Sequence, residues 1–212
     1  MRKIILISTI LVAELIAPLF TQAQGTLYLS NLGEGSSGGA AVASDAWAAA
    51  FFQTGFNIPG GYTLDSIQLS FSESSGSPIG LSVSIYQPNR TSLLGNYLGS
   101  LSGADPTAAG VFTYVSTSPI PLNWGQGYVI VVTAETSLAQ GAFFWNQADS
   151  YSYSTALWPG SYGSDISTDG VNWTGAGYPF QFAIYATAIP EPATLALAAL
   201  GLAALGFWQR KP

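Results

Sequence analysis

The stretch Leu64-Asp65-Ser66-Ile67-Gln68-Leu69-Ser70-Phe71 decides the fold class of this chain. From Ile67 onward, apolar and polar residues alternate, and residues 81–86 (LSVSIY) repeat the pattern with serine as the polar partner. Alternation with a period of two is typical of a β-strand that buries one face. Both segments are therefore predicted to be strands of a sheet that covers a core.

Other parts of the chain carry the same kind of signal. Turn clusters rich in Gly, Pro, Ser and Asn separate eight further candidate strands, which are residues 26–29, 47–53, 97–101, 111–115, 128–132, 142–145, 151–157 and 180–187. Many short strands between such turns predict an all-β fold, an antiparallel β-sandwich of jelly-roll type, over residues 24–188. Residues 33–39 (GEGSSGG) are predicted to form a flexible loop after the first strand.

The composition of residues 24–188 excludes several functions. These residues contain nine of the 11 acidic residues of the chain, and Arg90 is their only base. Nucleic acid is not an expected partner, because its phosphates are bound by Lys and Arg. The chain has no Cys and no His. Disulfides, the usual zinc sites and Ser-His-Asp or Cys-His catalytic groups are therefore excluded.

Each end of the chain carries a targeting pattern. Arg2 and Lys3 precede an apolar run, and residues 21–23 (TQA) offer a small-residue cleavage site, which predicts a secretory signal peptide over residues 1–23. An uncleaved N-terminal anchor is the alternative.

At the C-terminal end, the uncharged Ala/Leu-rich run 193–208 predicts a transmembrane helix. This helix would be only ~24 Å long at about 1.5 Å per residue. Arg210 and Lys211 follow this run and are expected to stay cytoplasmic. Residues 24–188 are then expected to lie on the other side of the inner membrane, outside the cytoplasm.

The C-terminal segment 189–212 resembles a known sorting signal. Pro190, Glu191 and Pro192, followed by the apolar run and by Arg210 and Lys211, are similar to the PEP-CTERM signal of exopolysaccharide-producing Gram-negative bacteria. The resemblance implies that exosortase, a membrane protease, recognises the segment. The protein would then be held briefly in the inner membrane and passed to the cell surface or extracellular matrix with exopolysaccharide. The alternative is a plain anchor with a proline-rich stalk, since two prolines by themselves only hold the chain extended.

The body of the chain resembles a second family, the choice-of-anchor surface domains of type R. The matching pieces are residues 51–55 (FFQTG), 62–69 (YTLDSIQL), 83–86 (VSIY), 122–132 (LNWGQGYVIVV) and Trp145. The resemblance implies a surface module without an assigned reaction.

Aromatic side chains are concentrated between residues 143 and 178. The apolar faces of sugars stack on exposed Trp and Tyr rings, so this region is a predicted carbohydrate-binding face. Trp158 and Tyr162 flank the turn at residues 159–160 and are predicted to be exposed, whereas Tyr151 and Tyr153, two residues apart, are predicted to share one face. The alternative is that these rings fill the core.

Residues 165–170 (DISTDG) resemble the opening of an EF-hand calcium loop. Asp165, Ser167 and Asp169 place oxygen ligands at positions 1, 3 and 5, with Gly170 at position 6. The bidentate Glu of position 12 is replaced by Ala176, so a solvated turn is the alternative to Ca²⁺ binding, and no other cofactor is expected. Residues 167–173 also resemble an Asp-box hairpin, which is a structural feature.

The acidic residues do not form a recognisable catalytic pair. A glycosidase needs two carboxyl groups that face each other across a cleft, and no motif selects two of the nine acids in the body. The expected function is therefore a non-enzymatic surface or extracellular-matrix protein. A carbohydrate-binding module and a carboxylate-based glycosidase are the alternatives.

Overall fold

A computed structural model of the chain describes residues 25–160 and 163–190, together with Leu197 and Leu200. The predicted signal peptide, Tyr162, and the predicted transmembrane run apart from those two leucines lie outside the described residues. Within the described part, no helix has both the length and the apolar character needed to cross a membrane.

The described residues form thirteen β-strands. Their bounds are β1 Thr26–Ser30, β2 Ser36–Val42, β3 Trp47–Gln53, β4 Tyr62–Gly76, β5 Ser82–Gln87, β6 Asn96–Ser102, β7 Gly110–Leu122, β8 Gly127–Thr133, β9 Gly141–Ala148, β10 Thr155–Ala156, β11 Ser164–Ser167, β12 Thr174–Gly175 and β13 Phe182–Ala188. Neighbouring strands pair antiparallel throughout. The predicted all-β antiparallel class is therefore confirmed.

All these strands belong to one hydrogen-bonded sheet. Its order is β10-β1-β13-β4-β7-β6-β5-β8-β3-β11-β12, and β9 joins β2 to β4 beside this path. Strands far apart in the order still share one core, in which Leu64 and Leu69 of β4 pack in the same cluster as Ile130 and Val132 of β8. The sheet therefore curls around its core, and its division into the two sheets of a jelly roll stays a prediction.

A β-bulge at Asp65 explains where the alternation of β4 begins. Leu64 lies opposite Ala186 of β13 and Ser66 lies opposite Tyr185. Asp65 is therefore an extra residue in β4, with no residue of β13 opposite it in the register. An extra residue reverses the alternation of faces at that point. As a result, Leu64 before the bulge and Ile67 after it are both buried in the core.

Two predicted segments differ from the structure. The loop predicted at residues 33–39 covers only residues 33–35, because residues 36–39 begin strand β2, which pairs with β9. A Cβ atom at Gly39 would lie 3.0 Å from the carbonyl oxygen of Trp145, so the glycine allows the backbones to approach closely. The strand expected at residues 151–157 shrinks to Thr155–Ala156.

Strand β8 is buried on both faces. Ile130 and Val132 point into the main core, whereas Val129 and Val131 pack with Ala49 on the outer face of the sheet. Partly buried side chains cover this second cluster, namely Trp47, Phe51, Tyr86, Leu93, Leu94 and Trp173. Aromatic and leucine side chains therefore cover the outer face of β3 and β8, and Phe51 of β3 lines the groove beside Tyr151.

Candidate functional site

The chain leaves the body at the end of β13. This strand lies between β1 and β4, and the N–H of Ile189 then donates a hydrogen bond of 2.9 Å to the carbonyl oxygen of Gly61. Gly61 has φ +77°, a conformation that glycine adopts without strain. Pro190 follows and is exposed. The predicted sorting tripeptide thus begins directly after the last residue bonded to the sheet, whereas Glu191, Pro192, Arg210 and Lys211 lie outside the described residues.

Trp158 is a core residue, which corrects its predicted exposure. Its side chain is 2% exposed. The ring stacks on Tyr28 with centroids 4.7 Å apart and meets Tyr62 edge-on at 4.9 Å. The backbone N–H of Trp158 donates to the carbonyl oxygen of Tyr28, so pairing with β1 turns this segment inward. A buried ring offers no face to a sugar, and Trp158 is removed from the predicted carbohydrate-binding residues.

Tyr151 and Tyr153 do not share one face, because no strand forms around them. Tyr151 is 63% exposed, and its hydroxyl donates a 2.7 Å hydrogen bond to the carbonyl oxygen of Gly177. Tyr153 is half-buried and packs against the main core. Tyr162 lies outside the described residues. Of the four predicted rings, Tyr151 is the one that the structure places with an accessible face.

A groove of about 660 Å³ lies beside Tyr151. It is lined by Phe51, Tyr151, Gly163, Ser164, Asp165, Gly175 and Gly177. Asp165 of β11 lies opposite Ala49 of β3 on one side and opposite Gly175 of β12 on the other, so its side chain is on the outer face. The groove therefore combines two aromatic rings, one carboxylate and a floor of glycines.

Asp165 is the charged group of this groove. Burial raises the pKa of its carboxyl above the usual range, since partial removal from water disfavours the ionised form. A Cβ atom at Gly175 would lie 3.9 Å from Oδ1 of Asp165 and would meet no other atom within 4 Å. The glycine thus leaves the carboxylate accessible from the β12 side. A carboxylate beside an exposed ring can accept hydrogen bonds from the hydroxyls of a bound sugar.

The loop predicted to bind calcium is a hydrogen-bonded turn. Oδ1 of Asp169 accepts hydrogen bonds from Ser167 Oγ, Val171 N and Asn172 N, and Oδ2 accepts one from Asn172 Nδ2. These donors hold the pKa of Asp169 well below its usual range. Among the described residues, no three acidic side chains gather as metal ligands. Calcium binding by Asp165, Ser167 and Asp169 stays a prediction, and the turn explains the conformation of this loop without a metal.

A second cavity, of about 730 Å³, lies beside the bulge of β4. Asp65 is its charged group and accepts a 2.8 Å hydrogen bond from the hydroxyl of Thr187, and burial raises the pKa of its carboxyl. Each of these two cavities is lined by a single carboxylate among the described residues, whereas glycoside hydrolysis uses a facing pair.

Comparison with protein families identifies the end of the chain. Residues 188–211 match the model of the PEP-CTERM protein-sorting motif. This motif implies an exported protein with a C-terminal membrane-anchoring signal, which is processed by exosortase, a membrane protease. Among curated proteins, no match to the chain is found.

The sequence did not reveal the whole groove. Phe51 lies in a strand whose bounds were predicted correctly, but neither strand β11 nor β12 was predicted. These strands have four and two residues, too few for a periodic pattern. Gly175 therefore carried no signal that could place it beside Asp165.

Proposed function

We propose that the protein is an exported, non-enzymatic surface or extracellular-matrix protein that exosortase processes and that associates with exopolysaccharide. In this proposal, residues 193–208 hold the precursor transiently in the inner membrane. The curled sheet serves as a surface domain of the choice-of-anchor type and closes as a jelly-roll sandwich.

The observation that carries the proposal is the sorting motif together with the position where it leaves the body. The match covers residues 188–211, and β13 ends at Ala188. The motif therefore starts where the folded body stops, and Pro190 is already exposed. A protease at the membrane can reach a segment in this position without unfolding the sheet.

The decisive residue is Glu191. In a plain anchor, replacing Glu191 with Ala should change nothing, because the acid precedes the apolar run. For a recognised sorting motif, Glu191→Ala should block cleavage, and uncut precursor should accumulate in the inner membrane. The test is cell fractionation with intact mass measurement of the wild type and Glu191→Ala in the producing cell. Full-length wild type in the inner membrane would reject processing and leave a plain anchor.

Removal of Arg210 and Lys211 is the matched control for this test. These basic residues set the orientation of the segment through the positive-inside rule and need not be read by the protease. Their deletion should increase the fraction of misoriented or fully translocated protein. An effect identical to that of Glu191→Ala would show that topology, rather than recognition, controls processing.

A second candidate function is binding of the polysaccharide by the body itself. The groove at Phe51, Tyr151 and Asp165 favours it, because exposed Tyr151 can stack on a sugar and Asp165 can accept hydrogen bonds from hydroxyl groups. The test is co-sedimentation of the body with the extracellular polysaccharide of the producing cell. Tyr151→Ala should weaken binding by about 1 kcal/mol, the scale of one aromatic contact.

Gly175→Leu gives an independent test of the same groove. Its Cβ atom fits without a clash, so the longer side chain should fill the groove while the fold is kept. Tyr97→Ala is the matched control, because Tyr97 is similarly exposed on β6 and does not line the groove. Binding that survives both Tyr151→Ala and Gly175→Leu would reject the groove as the polysaccharide site.

A further inference from the structure

The end of the body from which the tail leaves is built from several strand ends. The connections 54–61 and 123–126 lie there with Ile189, because the register places Gln53 opposite Gly127 and Tyr62 opposite both Leu122 and Ala188. The connection 88–95 also leaves β5 at this end, since Tyr86 lies opposite Val129. We call this surface the exit end. It is well ordered by backbone hydrogen bonds, including Gly125 N to Gly55 O at 2.9 Å and Thr54 N to Gln126 O at 3.0 Å.

The exit end exposes two large aromatic side chains. Phe56 is 59% exposed and Trp124 is 47% exposed. A Cβ atom at Gly125 would lie 2.7 Å from the ring of Phe56, so this ring packs directly against Gly125. Because Gly125 follows Trp124, the rings of Phe56 and Trp124 lie on neighbouring turns. Ile189, bonded to Gly61, adds a partly exposed apolar side chain. Tryptophan, which has an apolar ring with a polar N–H, is typical of the membrane interface, and the apolar ring of Phe56 lies in the turn beside Trp124.

The charges of the exit end suit a bilayer surface. Residues 54–61 and 123–126 contain no charged residue, and residues 88–95 contain Arg90, the single base of the body. The strand direction puts Arg90 at this end, since Tyr86 near the end of β5 lies opposite Val129 at the start of β8. Arg90 is exposed. A long cationic side chain here can reach lipid phosphates. Asp65, the acid closest to this end in β4, is half-buried and bonded by Thr187.

The opposite end of the sheet is acidic. Glu135 follows β8, Asp45 precedes β3, and Asp105 lies between β6 and β7, so all three are at the far ends of their strands. Exposed apolar side chains occur there too, and two of them, Leu138 and Ile79, are hydrogen-bonded to acidic residues. The N–H of Leu138 donates to Oδ1 of Asp45, and Ile79 accepts a backbone hydrogen bond from Glu135. Carboxylates disfavour contact with a bilayer, so the body is polarised along its strands.

The tether between body and membrane is short. Between Pro190 and the apolar run predicted to begin at Ala193, three residue steps span ~10 Å at most. A headgroup layer of roughly 5–7 Å lies on each side of the hydrocarbon core. A fully extended tether therefore leaves only a few ångströms between the exit end and the headgroups.

We propose that, before the tail is cut, the exit end rests on the outward-facing headgroup layer of the inner membrane through Phe56, Trp124 and Arg90. The bilayer is the partner, and this contact holds Pro190 at the height of the membrane interface. The inference rests on the anchored precursor of the proposed function. It adds an orientation, in which the acidic end of the body points away from the membrane.

The absence of cysteine from the chain makes the orientation directly measurable. Full-length precursor carrying Trp124→Cys or Leu138→Cys is labelled with an environment-sensitive fluorophore and reconstituted into vesicles of phosphatidylethanolamine and phosphatidylglycerol. The two positions are matched in exposure, at 47% and 49%, and lie at opposite ends. Quenching by nitroxide-labelled lipid should be about twofold or more stronger at position 124, as an interfacial side chain requires.

A second matched pair and a flotation assay separate the possible outcomes. Phe56→Cys and Ile79→Cys, with parent residues 59% and 60% exposed, should repeat the contrast. Equal quenching at both ends in protein that floats with the vesicles would overturn the resting orientation and leave the anchor intact. Protein that does not float would overturn the anchor of the proposed function, and the orientation with it. Arg90→Glu should lower the quenching at position 124, and an unchanged value would remove Arg90 from the contact.

Discussion

At the residue scale, Trp158 shows how the surroundings of a side chain decide its role. It follows an exposed leucine and precedes a Pro-Gly turn, yet its ring lies between Tyr28, Tyr62 and Phe52. Trp158 therefore contributes to the stability of the folded state as a core residue. Tyr151, seven positions earlier, keeps an accessible ring and is 63% exposed, and its hydroxyl donates a hydrogen bond to the carbonyl oxygen of Gly177.

Truncation of Trp158 should measure this difference. Trp158→Ala is expected to lower the free energy of unfolding by about 3–5 kcal/mol, because it removes a buried ring and leaves a cavity. Trp158→Phe should cost less, since a smaller ring still fills part of the space, whereas Tyr151→Ala should have little effect. Urea unfolding of the three variants provides the measurement. A loss at Trp158 no larger than that at Tyr151 would contradict the buried position.

Asp169 and Asp165 should respond to pH with opposite signs. Asp169 has a lowered pKa in the folded state, so its charged form stabilises the turn above about pH 4, and that contribution is lost as the pH falls further. Asp169→Asn should therefore reduce stability at pH 7 and have a smaller effect near pH 3. Asp165 has a raised pKa, so its ionisation opposes folding at pH 7. Asp165→Asn should stabilise at pH 7 and gain nothing near pH 3.

Urea unfolding at both pH values checks the two signs. Equal behaviour of the two variants would contradict the assigned environments.

The same proteins test the calcium prediction, because ligand binding to the folded state must raise the melting temperature. A rise with millimolar Ca²⁺ that Asp169→Asn abolishes would support the calcium prediction, and melting curves that are unaffected by a chelator would leave only the turn.

At the element scale, strand β13 limits where the protease can cut. Residues 182–188 are paired with β4, and Ile189 is bonded to Gly61. Proteolysis requires an accessible extended segment, whereas these residues are held in the sheet. The mature protein is therefore expected to end at or after Ile189.

Intact mass spectrometry of the processed protein tests this limit. A C-terminus inside β13 would show that the strand opens before cleavage and would contradict the limit. Insertion of a flexible Gly-Ser linker between Ile189 and Pro190 is the matched variant. The protease should still cut at the same residues of the sorting motif. If that cut lies on the C-terminal side of the linker, the mature protein should be heavier by the mass of the linker.

At the scale of the whole molecule, the sheet cannot be completed until the last strand has been exported. The first strand, β1, pairs with the last long strand, β13, and β13 also pairs with β4. The buried side chains of Phe182 and Ile184 join the common core. Folding therefore depends on contacts between residues from both ends of the body.

Two truncations test this dependence. A chain ending at Pro190 should unfold cooperatively in urea, whereas a chain ending at Gln181 should lack a cooperative transition, because β1 and β4 lose their shared partner. Near-ultraviolet circular dichroism reports the packing of the aromatic core in both chains. A native-like spectrum for the chain ending at Gln181 would show that β13 is dispensable.

The sequence by itself determined the all-β class, the bounds of strand β3 and the sorting motif. These features are local, since alternation over a few residues encodes burial on one face, and the order of Pro-Glu-Pro, apolar run and basic residues is read along the chain. The structure confirms the bounds of β3, and the family match covers the motif.

Only the tertiary structure decided the pairing of β2, the burial of Trp158 and the groove at Asp165. Gly39 is part of a strand because it pairs with Asn146 of β9. Trp158 is buried because its backbone N–H donates a hydrogen bond to Tyr28 of β1, which places the ring in the core. Asp165 gained its neighbours from β3 and β12. In each case the deciding contact joins residues distant in sequence, and local periodicity carries no information about which strands will meet.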